Sequence, residues 1–356
     1  MANGSIGIGR IFGIPIEVHW TLLLFSLLLL LVIPNVTFIL LVLLYACVLA
    51  HELAHSGNAM RNNLKVKRII LSLMGGASII DDINIDPRIE FNITMVGPIT
   101  SIFLGAAFGA LEVFTGPGTL GYMLNWLFLW NMFLGIFNLV PIFPLDGGRI
   151  MRSYLQRRTN FYNATMATAK VSKYLMGLFV VAMGAYILLD GQAFVYNELL
   201  AFITFFTIFY IYGGLKAETN SATIKKDMKG VKVGEIASKD FTLISSGATI
   251  ERIYRHMVSK RSKTFVMKTK DGIYLLNLNS KPKDQIKFAR DLAFKVPSLD
   301  AELEVADALQ RMESEDVGIA AIERNKRFMG IVSSAQIQSF IFLHMLKGKY
   351  GKTGKI

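Results

Sequence analysis

The chain has 356 residues, 53% of them hydrophobic and only 18% charged, which is too oily for an ordinary soluble enzyme and long enough for two or three units. Its net charge of +12 raises the question of a nucleic-acid partner, but the cations fall where a multispan membrane protein keeps them, and this argues against one. A lone cysteine, Cys47, excludes an intrachain disulfide and any Cys-rich zinc site.

Six apolar stretches approach the ~20 residues that a membrane helix needs. They cover residues 19–33, 37–60, 91–114, 120–140, 173–189 and 194–215, the first being short for a span. The first run continues too long for a removable signal peptide and has no small-residue cleavage site. Arg10, the group Arg61, Lys65, Lys67, Arg68 and Arg88, the stretch Arg149 to Lys173, and Lys216 occupy alternate loops. The turns near Pro34, Gly116 and Gly191 carry Glu112, Asp190 and Glu198 but no Lys or Arg. That asymmetry predicts a multi-pass protein of the cell membrane with its amino terminus and its carboxyl-terminal region in the cytoplasm.

The second stretch carries His51-Glu52-Leu53-Ala54-His55, directly after fourteen uncharged residues. An ionised side chain at the bilayer centre costs roughly 2.5–3.5 kcal/mol, so three ionisable groups here imply a use. His51 and His55 are four apart and share one helix face, where both imidazoles can reach one Zn²⁺ and Glu52 can act on water at the metal. Cys47 shares that face, as a packing residue or a further donor, and His19 opens the first stretch near the membrane interface.

Residues 66–83 are too interrupted for a span. Two β-prone runs flank Gly75-Gly76, which predicts a hairpin with a glycine turn, either as filler or as an edge that pairs with a substrate. A three-ligand zinc site needs another donor, usually a carboxylate. His256 and His344 belong to the soluble part, and Asp146 is the best choice left. It stands in Asn138-Leu-Val-Pro141-Ile-Phe-Pro144-Leu-Asp146-Gly147-Gly148-Arg149, where prolines and glycines break the helix near the metal. Asn138 can bind substrate or the developing oxyanion, or cap a helix.

A polar linker, residues 217–228, precedes two units of similar pattern, 229–283 and 284–347, and a basic tail, 348–356. Ser246-Gly247-Ala248-Thr249-Ile250-Glu251 and Asp300-Ala301-Glu302-Leu303-Glu304 occupy equivalent places, which points to an internal duplication.

HELAH on the second span and NLVPIFPLDGGR after the fourth together resemble the site-2 protease family of intramembrane zinc metalloproteases, over residues 1–216. The resemblance implies that His51, His55 and Asp146 hold one Zn²⁺ and that Glu52 is the catalytic base. It also implies cleavage within membrane-spanning segments of other proteins, often after a first cut elsewhere. The paired units resemble tandem CBS domains, which commonly bind adenine nucleotides, regulate the attached protein and pair into dimers. They depart from the ribose-contacting pattern of that family: Gly330-Ile-Val-Ser333-Ser-Ala-Gln336 has Gln336 in place of the acid, and Gly272-Ile-Tyr-Leu275 lacks the hydroxyl too. The expected fold is thus a multispan α-helical membrane protein of about six helices with a small membrane-face hairpin, plus a soluble α/β tandem CBS module. A cation transporter with a CBS regulator would explain the spans and the tail, but not HExxH combined with LDGG.

Overall fold

The protein is described by a computed structural model, which covers residues 4–32, 35–80, 85–116, 118–189, 194–260, 264–276 and 288–350. The chain divides into two units, Met1–Thr223 and Ile224–Ile356.

The first unit opens with two strands, β1 (Ser5–Ile11) and β2 (Ile14–His19), followed by the helices α1 (Trp20–Val32) and α2 (Asn35–Arg61). Strands β3 (Val66–Ser72) and β4 (Gly75–Ile80) come next, then α3 (Pro87–Thr115) and α4 (Thr119–Asn138). The unit closes with α5 (Asp146–Gln156), α6 (Phe161–Leu189) and α7 (Phe194–Asp227). Four helices among the described residues are long and apolar enough to cross a membrane: Phe38–Arg61, Pro87–Thr115, Thr119–Asn138 and Phe161–Tyr186. Their outward faces carry Phe103, Val113, Phe133 and Val181, side chains that water would disfavour and lipid accepts. Helix α1 has 13 residues, a length of about 20 Å, short of a ~30 Å hydrocarbon core.

The boundaries differ from the sequence expectation in three places. Helix α6 begins at Phe161 rather than 173, because Asn160 caps it by accepting from the Asn163 amide at 2.9 Å. The expected polar linker is helix as far as Asp227. It contains no Gly or Pro, and its Thr219 and Thr223 hydroxyls bond back to Leu215 and Thr219 one turn earlier. The third difference concerns the hairpin. Its turn is Leu73-Met74, and Gly75 and Gly76 already belong to β4, with Gly75 paired to Ser72. Residues 81–83 of the expected hairpin lie outside the described residues.

That hairpin is half of a four-stranded sheet, ordered β1-β2-β3-β4, in which β2 and β3 run parallel. Ile14, Ile16 and Val18 alternate on β2 and meet Ile69 and Leu71 of β3, forming one apolar face. This face packs on Tyr45, Val48, Leu49 and Leu53 of α2, so the sheet is fixed against the helix that carries both candidate histidines.

The second unit holds α8 (Val233–Ile236), β5 (Thr242–Ile244), α9 (Ile250–Lys260), β6 (Phe265–Thr269), β7 (Gly272–Leu276) and β8 (Ala293–Val296). It continues with β9 (Ser298–Asp300), α10 (Val305–Ser314), β10 (Ile319–Arg324), β11 (Arg327–Ser333) and α11 (Ser334–Tyr350). The strands form two sheets, β5-β6-β7-β8 and β11-β10-β9. The two repeats exchange segments, so a cut at 283/284 does not separate them in space. Strand β8 pairs with β7 of the earlier repeat, and Val233 and Gly234 of α8 donate to Leu303 and Ala301 of the later one.

Ile69 has no exposed surface and sits at the centre of the contact between sheet and helix. Ile69→Ala is therefore expected to lower stability by about 2–5 kcal/mol, read as a drop in the thermal unfolding midpoint in detergent; an unmoved midpoint would show that the sheet does not lean on α2.

Candidate metal centre

On α2, His51 and His55 turn inward together and are almost fully buried, at 4% and 7% exposure. Asp146 is the first residue of α5, where an anion also meets the positive end of the helix dipole. Its Oδ2 lies 3.1 Å from His51 Nε2 and 3.2 Å from His55 Nε2, and the two Nε2 atoms are 3.1 Å apart. Among the described residues this trio is the one group of acidic, histidine or cysteine side chains found to be spaced for a metal.

The outer sides of the rings decide what the inner sides can do. His55 Nδ1 is 2.7 Å from the Ile93 carbonyl, which can only accept, so Nδ1 carries a proton and Nε2 is the nitrogen turned toward His51 and Asp146. His51 Nδ1 is anchored at 2.8 Å by the Ser101 hydroxyl. Two Nε2 atoms and a carboxylate oxygen thus converge on one point, the arrangement of ligands around a shared cation. Ligands about 2.0–2.1 Å from a tetrahedral zinc lie about 3.3 Å apart, close to the three spacings seen here. Gly97 of α3 completes the cradle: a Cβ there would sit 2.2 Å from His55 Nε2 and 2.7 Å from His51 Nε2. The donor set and the space fit Zn²⁺.

Local chain geometry explains how Asp146 arrives. The segment 139–145 folds back over the start of α5 so closely that a Cβ on Gly147 would meet the Val140 and Leu139 carbonyls at 2.2 and 2.3 Å. Phe143, fully buried, is tied by its amide to the Ser172 hydroxyl of α6 at 3.1 Å.

Other candidate positions fall as follows. Glu52 is buried beside the histidines, and its Oε2 accepts from Ser78 of β4 at 2.7 Å. Gly76 lies against Glu52, and Gly75 opens the same strand. Asn138 ends α4 and donates from Nδ2 to the Leu134 carbonyl at 3.0 Å, a helix-end bond. Cys47 packs with Leu40 and Leu127 and stands outside the donor trio, as does His19, whose Nδ1 pairs with the Thr21 hydroxyl at 2.8 Å.

One buried group was not anticipated. Arg152, two turns along α5 from Asp146, is 6% exposed and binds Glu90 of α3 and, at 2.7 Å, Glu218 of α7. Arg149 reaches the same Glu218 at 3.3 Å, and the Arg152 guanidinium lies over the rings of Phe143 and Phe161. Burial pushes the Glu218 carboxyl up, but the Arg149 and Arg152 cations outweigh it and hold the group below its ordinary value.

The profile of Peptidase family M50 matches residues 117–183. The chain is 31% identical over 290 residues to Rip3 of Mycobacterium tuberculosis, whose name describes a zinc metalloprotease, spanning 75% of this chain and 72% of that one. This chain belongs to peptidase family M50. It is thus a zinc metalloendopeptidase of the site-2 protease type, in keeping with its apolar helices. It is also 28% identical over 344 residues to the zinc metalloprotease MJ0392 of Methanocaldococcus jannaschii, spanning 94% of this chain and 95% of the relative. Among solved structures, it is similar to the site-2 protease of M. jannaschii, with 32% identity, 60% of this chain, 95% of that chain and a TM-score of 0.44. A CBS domain of a bacterial CNNM/CorC-family Mg²⁺ transporter also matches, at 12% identity over 35% of this chain and 83% of that one, with a TM-score of 0.30.

Two outcomes test this geometry. Gly97→Ala is expected to lower the zinc content of the purified protein, although no donor is changed; a full zinc complement would show that the cradle is looser than its distances. For Glu218 the folded value is depressed, so its contribution is present above the unfolded carboxylate value and fades as pH falls through the folded one. Glu218→Gln is expected to flatten the acid side of the stability profile in a pH series of unfolding midpoints, and a profile parallel to the parent's would count against the pairing.

Proposed function

We propose that the protein hydrolyses peptide bonds in or near the transmembrane segments of other membrane proteins, with His51, His55 and Asp146 as zinc ligands and Glu52 as general base. The observation that carries this reading is the convergence of the three donor atoms within 3.1–3.2 Å, with Glu52 beside them on the same helix. When bound, Zn²⁺ polarises a peptide carbonyl and brings the pKa of a coordinated water near neutrality. The Glu52 carboxylate takes the proton of the attacking water and returns it to the leaving amine. Gly97, Ser101 and the Ile93 carbonyl keep the imidazoles in the one orientation that leaves both Nε2 atoms free for the metal.

A membrane-spanning substrate arrives as a helix whose carbonyls are already bonded, so it must unwind before attack. Strand β4 is the outer strand of the sheet and lies against Glu52, and an unwound segment added to its edge, along Gly75 and Gly76, would recover its backbone hydrogen bonds. Asn138 contributes to the end of α4 in this reading.

Six spans, α1, α2, α3, α4, α6 and α7, with the amino terminus and the second unit in the cytoplasm, accord with the distribution of Lys and Arg. The second unit is read as a CBS pair that dimerises or senses a ligand and alters substrate access. In it Gln336, at the place of the ribose-binding acid, donates to the Ile236 carbonyl at 2.7 Å, and its amide bonds to Ser333. These bonds occupy Gln336 and count against its contacting a ribose.

Glu52→Gln decides the central claim. It is expected to retain about one zinc per chain by metal analysis while slowing cleavage of a single-span peptide roughly 10²–10⁴-fold. Unimpaired cleavage by this variant, or a parent protein that never holds zinc, would overturn the assignment.

A further inference from the structure

We infer that Ser78 is a positioning residue that holds the general base in place from the strand on which the substrate docks; this rests on Glu52 being that base. A glutamate on a helix has three side-chain torsions, and a base must be held within hydrogen-bond reach of the water it deprotonates. Among the described residues, the hydrogen-bond partner of this carboxylate is on β4 and not on α2. Strand β4 supplies the constraint through Gly76 and Ser78, which are two residues apart and share a face of the strand.

Each makes a different contact with the same side chain. A Cβ on Gly76 would lie 2.5 Å from Glu52 Cγ, so the strand approaches this closely only because that position is glycine. Ser78 Oγ donates to Glu52 Oε2 at 2.7 Å and, more weakly, to the Glu52 carbonyl at 3.2 Å. Ser56, one turn further along α2 and fully buried, donates to Ser78 Oγ at 3.1 Å. With its oxygen accepting from Ser56, the Ser78 hydroxyl sends its own proton to the carboxylate. Oε2 is thereby tied down, and Oε1 is left for the proton of the attacking water. Ser78 transfers no proton in this scheme; it sets the direction of the group that does.

The consequence concerns timing. Strand β4 is both the outer strand of the sheet and the carrier of Ser78. A substrate strand that pairs with this edge steadies β4, and with it the hydroxyl that orients the base. Backbone docking and orientation of the base therefore share one element.

The test uses the full-length protein in detergent micelles with a quenched fluorogenic single-span peptide that carries a central Asn-Pro pair. Parent, Glu52→Gln, Ser78→Ala and Ser78→Thr are compared for kcat, KM, zinc content and unfolding midpoint. Ser78→Ala is expected to lower kcat on the order of tenfold to hundredfold with KM within about twofold and zinc unchanged. Ser78→Thr, which keeps the hydroxyl, is expected to restore kcat. An unchanged kcat in Ser78→Ala sinks the inference, and so does a loss of kcat that tracks a loss of zinc or of midpoint, because that would mark a merely structural serine. An active parent with a silent Glu52→Gln leaves the base assignment standing whatever Ser78 shows, whereas an inactive, zinc-loaded parent removes both.

Discussion

Two imidazole nitrogens and a carboxylate oxygen converge within 3.2 Å inside an apolar bundle, and the rest of the membrane unit is organised to maintain that convergence. The donors come from two elements far apart in sequence, α2 and α5. Each must be held to within fractions of an ångström for a tetrahedral ion. Helix α2 delivers two donors with one rigid backbone, and α3 lies across it, contributing Gly97 for space and Ile93 and Ser101 as anchors for the ring nitrogens. The third donor lies outside the long apolar helices. It comes from a helix start, reached by a chain that has just left α4 and folded back on itself.

Holding α5 is a separate task. Its amino end is set by packing of the loop before it, and two turns later Arg152 binds carboxylates from α3 and α7. A buried guanidinium with two acidic partners contributes little net stability against an apolar alternative, yet removing one member leaves an unpaired buried charge at a cost of about 3–5 kcal/mol. The network thus acts chiefly as a register: among the packings open to α3, α5 and α7, it selects the one in which these charges meet. That register also fixes the rotation of α5, and with it the direction in which Asp146 points.

Much of the site was legible in the sequence because its signals are local. HELAH places two candidate donors and a carboxylate at helix spacing, and NLVPIFPLDGGR combines breakers with the acid that is the best remaining choice for a third donor. Several misreadings share a cause: they concern non-local pairings. Strands β1 and β2 were not expected, since Ile14, Ile16 and Val18 alternate over too few residues to stand out beside long apolar runs, and their partner β3 lies some fifty residues on. The Arg152 network joins residues 62 and 66 positions apart, and its charges looked like part of a basic loop. In the second unit the exchange of β8 and α8 between repeats is invisible to any linear division. The polar stretch after Lys216 has the composition of a linker, yet it contains no Gly or Pro that would end a helix.

The glycine pair at 75–76 shows how a correct signal can carry the wrong meaning. Adjacent glycines between β-prone runs suggest a turn, but the turn is made by Leu73 and Met74, and the glycines lie within the strand. Gly75 has φ at +115°, a conformation that L side chains rarely adopt, while Gly76 is needed for the close approach to Glu52. Glycine in a strand weakens the strand for lack of side-chain packing, so its presence at an edge next to a buried carboxylate needs a compensating reason. Proximity supplies it. A strand bearing a larger residue at position 76 would stand away from α2, and both the bond from Ser78 and the paired edge would lie out of reach of the ligand cluster.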